Sequence, residues 1–95
     1  VSAPLTFQRV LGLAVKARRD ELGITQEQLA HDADLHQRWL SNVENGKRNP
    51  SYGSLRRLAS GLKLSPSELL ARVESIEAEA QSPADSPAAG SSRSR

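Results

Sequence analysis

Two short amphipathic segments, "TQEQLAHDA" and "HQRWLSNVE", share one very short connection, "ADLH", residues 33–36. Neither segment exceeds about two helical turns, and helices of that length do not survive alone because nucleation is costly. Each therefore needs a partner, and a turn this tight crosses two helices steeply. That requirement, more than any other feature, limits what the chain can become.

The rest of the chain supplies the partners. A first helix is predicted over Phe7–Leu22, capped by Thr6 and ended by Gly23, with Leu11, Ala14, Val15 and Leu22 on one face. The second starts at Thr25, where "TQEQ" has capping-box form with Gln28 reaching back, and its apolar face is Leu29, Ala30 and Ala33. The third runs from near His36 to about Glu44, and Asn45-Gly46 stops it. Ser51 caps a fourth, with Leu55, Leu58, Ala59 and Leu62 at helical spacing. "SPSE" opens a fifth, with Ser65 as cap, Pro66 first inside and Glu68 third, followed by Leu69, Leu70, Val73 and Ile76. No strand signal occurs, and the loops have the short lengths that helical bundles use. The fold class is all-α, a compact five-helix bundle over residues 1–81. "SPADSPAAGSSRSR", residues 82–95, has only Ala as an apolar residue and is expected to be a disordered tail.

Composition narrows the chemistry. There is no Cys, hence no disulfide framework and no Cys-based metal site. No apolar run approaches the roughly 20 residues that span a bilayer, and the start lacks signal-peptide design, so a cytoplasmic protein without membrane contact is expected. His31 and His36 lie five positions apart with the turn between them, which makes metal ligation an unsupported reading. Ser41 has no base arranged nearby, so no catalysis and no cofactor are expected. Net charge is only +2, but its distribution is uneven. Within residues 36–57 five basic residues meet one acid, Glu44, whereas residues 64–81 carry one Arg against four Glu. A local basic stripe matters more to a polyanion than the total does.

Residues 25–50 satisfy what a helix entering a DNA major groove needs. Leu40 and Val43 face inward. Gln37, Arg38, Ser41 and Asn42 lie outward or on the flank, and Arg, Gln and Asn are the side chains that form paired hydrogen bonds with base edges. Trp39 stands beside them as a further base-contact candidate. Its ring resting on sugar–phosphate and its packing on the fourth helix are equally open. Asn45, Lys47, Arg48 and Asn49 follow, placed to clamp backbone phosphates.

The stretch "GITQEQLAHDADLHQRWLSNVENGKRNPSYGSLRRLASGLKLSPSELL" resembles the helix-turn-helix domains of the phage Cro and repressor class, the lambda-repressor-like type, and more closely their bacterial xenobiotic-response-element-like relatives. The marks are Gln26-x-x-Leu29-Ala30, Leu40-Ser41-x-x-Glu44-x-Gly46-x-x-x-Pro50, Leu55-x-x-Leu58-Ala59 and Leu62-x-x-Ser65, in order, over roughly residues 9–72. The resemblance implies a sequence-specific double-stranded DNA-binding transcriptional regulator. Gln37, Arg38 and Asn42 would face bases, and Gln26, Ser41, Asn45, Lys47 and Arg48 would hold phosphate. Arg19 would pair with Glu44, and a homodimer would read a pseudo-palindromic operator. Part of the Leu69, Val73, Ile76 stripe would close the core and the remainder would pair with the second copy. Asp34 stands where many relatives have Gly, and His36 where Ser or Thr often caps. Two other readings share the fold: an antitoxin-type regulator that also binds a toxin protein, and a protein-interaction adaptor.

Overall fold

A computed structural model describes residues 6–81; the expected tail, residues 82–95, lies outside the described residues. Five helices follow one another: α1 (Phe7–Leu22), α2 (Gln26–Ala33), α3 (Gln37–Glu44), α4 (Tyr52–Gly61) and α5 (Pro66–Gln81). No strand occurs among the described residues.

Local chemistry explains the helix ends. The Thr6 hydroxyl accepts from the Arg9 N–H at the start of α1. Thr25 and Gln28 form a reciprocal capping box on α2. Ser51 accepts from the Ser54 N–H on α4. On α5 the Ser65 N–H donates to Glu68 Oε1 at 2.8 Å, and the Glu68 N–H donates to Ser65 Oγ at 3.1 Å. Each such cap satisfies backbone donors that a helix start leaves orphaned. α3 differs, because His36 makes no side-chain cap hydrogen bond. It is held by packing instead.

α1 packs on α3 and α5, α2 on α3 and α4, and α4 on α5. The core is purely apolar among the described residues: no polar or charged residue is buried as a whole, although the Glu44 side chain at its edge is only 4% exposed. Val10, Leu11, Ala14 and Val15 contribute from α1, and Leu29, Ala30 and Ala33 from α2. Leu40 and Val43 come from α3, Leu55, Leu58 and Ala59 from α4, and Leu69 and Val73 from α5; Leu62, just after α4, completes it. A fully buried Leu or Val is worth about 1.5–3 kcal/mol relative to exposure, which is how two-turn helices such as α2 and α3 are retained. Leu22, expected on the inner face of α1, is only half-buried, because α1 is ending there. Ile76 is likewise half-buried against the core, where α5 begins to run past it.

Two glycines set the closest helix approaches. A Cβ on Gly12 would lie 2.6 Å from the carbonyl oxygens of both Val43 and Glu44, so α1 and the end of α3 touch backbone to backbone. A Cβ on Gly61 would lie 2.8 Å from Leu29 Cδ1, which fixes α4 against α2. Both contacts determine how α2 and α3 are presented.

Candidate nucleic-acid interface

The turn between α2 and α3 is closed by Asp34, at φ 58°, in the left-handed region. Its N–H donates to the His31 carbonyl at 3.2 Å, and the Leu35 N–H donates to the Ala30 carbonyl at 2.9 Å. Asp adopts this conformation more readily than most residues. α3 then leaves the turn with Leu40 and Val43 fully buried beneath it.

Five of the residues proposed from the sequence converge. Gln26, at the first position of α2, and Gln37, Arg38, Ser41 and Asn42 of α3 line one open concavity. Gln37 and Arg38 are exposed, and Gln26, Ser41 and Asn42 are half-buried. The helical spacing produces this grouping: 37, 38, 41 and 42 share the face opposite 40 and 43. Gln26 opens α2, and a helix N-terminus favours anions, although the Gln28 N–H is already taken by the Thr25 hydroxyl.

Asn45, Lys47 and Arg48 lie apart from the concavity, in the exposed turn after α3. There Gly46 takes φ 76°, and the Lys47 N–H donates to the Asn42 carbonyl at 2.8 Å. Trp39 also stands apart. It is half-buried and packs against the core cluster rather than lining the concavity. The flank of a helix lying on its scaffold offers apolar area that a large ring covers.

Behind the concavity lies an ion pair with two direct contacts. Arg19 Nε donates to Glu44 Oε2 at 2.8 Å and Arg19 Nη2 donates to Glu44 Oε1 at 3.0 Å. Arg19 Nη1 also donates to the Ile24 carbonyl at 3.1 Å. The side chains are 15% and 4% exposed, so the pair is largely out of water. The Arg19 pKa is raised, chiefly by the hydrogen bond to Glu44, with burial opposing. Gln26 joins the pair, donating from Nε2 to Glu44 Oε1 at 3.1 Å. Sequence reasoning missed this third member, and nothing in the local pattern signals a bond across 18 positions.

A second unforeseen network braces α1 from the other side. Arg18 Nε donates to the Leu62 carbonyl at 3.0 Å, capping the end of α4. Glu21 receives hydrogen bonds from Arg72 of α5 and from Arg18. Those bonds, Arg72 first, hold the Glu21 carboxyl below its ordinary range.

His31 and His36 are both exposed, and no group of three His, Cys, Asp or Glu side chains suited to a metal occurs among the described residues. No helix among them is long and apolar enough to cross a membrane.

A short α2 crossing over an α3 that is anchored by two aliphatic residues and turns a polar face outward is a helix-turn-helix module. The helix-turn-helix family model matches residues 15–69, and the chain belongs to that family, one of DNA-binding transcriptional regulators rather than enzymes. It is 37% identical over 59 residues to the control protein C.MunI of a Mycoplasma species, covering 62% of this chain and 80% of that protein. The fold is similar to the clp gene regulator ClgR of Corynebacterium glutamicum, with TM-score 0.75, 25% identity and 84% of each chain covered. It is also similar to the restriction-modification controller protein C.Esp1396I, solved as a tetramer with its natural 35 base-pair operator. There the TM-score is 0.70 at 26% identity, covering 76% of this chain and 95% of that one.

Proposed function

We propose that the protein regulates transcription by binding double-stranded operator DNA sequence-specifically, with α3 seated in the major groove. The observation that carries this reading is the convergence of Gln26, Gln37, Arg38, Ser41 and Asn42 on one concavity, above an α3 that Leu40 and Val43 fasten to the core. Gln37, Arg38 and Asn42 read base edges. Gln26 and Ser41 grip the phosphate backbone at the rim, while Asn45, Lys47 and Arg48 hold a second stretch of it. Trp39 supports α3 from its flank. Two copies bind one operator; the tetramer of the similar C.Esp1396I on its operator supports assembly of this kind. The work requires no cofactor and belongs in the cytoplasm.

Selection of bound duplexes from a random pool, with the mass of the complex measured, tests the proposal. A two-fold motif should emerge, bound by a dimer. Affinity should fall by orders of magnitude as salt rises from roughly 50 to 200 mM. No enrichment, or a flat salt response, would sink it. Co-purification of a small protein that displaces DNA would point instead to an antitoxin.

A further inference from the structure

We infer that Arg9, on the first turn of α1, is a further phosphate contact that extends the grip of the turn after α3. The inference rests on the DNA-binding reading above.

Arg9 lies against that turn. A Cβ on Gly46 would fall 2.9 Å from Arg9 Cγ and 3.1 Å from Arg9 Cα, so the absence of a side chain at Gly46 is what allows α1 to seat Arg9 there. Arg9 lines a small cleft with Leu13, Glu44 and Asn45. Asn45 is one of the proposed phosphate ligands, and Lys47 and Arg48 follow it directly in the chain.

The charge of Arg9 has no local explanation. The residue is exposed and forms no ion pair among the described residues. The carboxylate in its cleft, Glu44, already accepts from Arg19 and Gln26. Arg9 is also the third residue of its helix, and the first turn of α1 contains no acid. A cation there opposes the helix dipole. It therefore weakens α1 slightly while adding positive charge beside a loop that is already basic. A polyanion spanning both elements makes that placement favourable. A phosphodiester backbone held by Asn45, Lys47 and Arg48 runs past α1 at this edge.

The test uses the full chain, the enriched duplex and a random-sequence duplex, across a salt series. Arg9→Ala should weaken both duplexes by the same factor. It should also make the slope of log K against log salt shallower by about 0.9 per bound protomer, the value of one lost phosphate contact. Arg9→Lys should restore most of the slope, because only a charge is required. The Tm of Arg9→Ala should be unchanged or slightly higher. Wild-type binding with an unaltered Arg9→Ala slope would overturn the assignment and leave the regulator reading intact. So would a loss of affinity that follows a lowered Tm and that Lys does not rescue. Failure of wild type to bind any duplex would remove the regulator reading and this one together.

Discussion

Gln26 and Glu44 are joined by a 3.1 Å hydrogen bond from Nε2 to Oε1, which ties the first residue of α2 to the last residue of α3. Through Arg19 the same carboxylate reaches α1. One buried group thus coordinates the three helices that orient the concavity. Gln26 retains one amide hydrogen for an outside acceptor.

Glu44→Ala should lower stability by about 3 kcal/mol, the low end for breaking a buried pair, because Arg19 keeps slight access to water. Urea unfolding measures this. Glu44→Gln should cost less, since it preserves an acceptor for one donor. Gln26→Ala should leave the midpoint almost unchanged yet weaken DNA binding. Equal losses of stability from Gln26→Ala and Glu44→Ala would contradict the arrangement.

Gly12→Ala should destabilise by about 1–3 kcal/mol, as over-packing does, because the added methyl meets two backbone carbonyls that cannot swing aside. DNA affinity should fall further than the stability loss explains, since α3 must tilt. Gly53→Ala is the control. Its Cβ would meet nothing closer than Ser51 Oγ at 3.9 Å, and within α4 the change should stabilise by about 0.5–1 kcal/mol. Thermal unfolding of the pair separates the two cases.

Lys63 takes φ 60° just after α4, without the freedom of glycine. Lys63→Gly should raise stability by about 0.5–1 kcal/mol, the left-handed penalty less the extra entropy of an unfolded glycine. Asp34→Gly, at φ 58°, should gain less, because Asp tolerates that region better. A drop in Tm for Lys63→Gly would show that its side chain contributes more than its backbone costs.

Arg38→Ala should relax preference at one base position, at a cost of about 1–3 kcal/mol for the cognate site and little for random DNA. Lys47→Ala should weaken every sequence alike and flatten the salt slope. Binding isotherms on both duplexes decide it; indistinguishable behaviour would reverse the assigned roles.

The Glu21 network carries a pH signature. Its carboxyl is held below its ordinary 4.5 by Arg72 and Arg18, so the folded state favours the ionised form. The stabilisation is complete above the unfolded value and disappears as pH falls through the lower folded one. Wild type should therefore exceed Glu21→Gln in Tm at pH 7, and the gap should close on acidification below about 4.5. A gap that widens in acid would exclude this origin.

Much of the fold was legible because its signals are local. Thr25-x-x-Gln28 and Ser65-x-x-Glu68 mark helix starts by their own hydrogen bonds, and Gly23 marks an end by its φ of 68°. The shared face of Gln37, Arg38 and Asn42 was legible too, because their spacing from Leu40 and Val43 settles which way they point. Three features were not. Gln26 meets Glu44 only through the crossing of α2 and α3. Gly12 reads as a weak point in a helix until the carbonyls of α3 arrive beside it. Trp39 sits at the border of the buried face, where an amphipathic ring suits either side and periodicity cannot choose.

α3 gives only two of its eight residues wholly to the interior, Leu40 and Val43. The remaining positions, apart from Trp39 packed on the core and Glu44 held by Arg19 and Gln26, answer to whatever lies outside. A handful of substitutions could therefore redirect the protein to a different address on the chromosome while the bundle that carries the helix stays as it is.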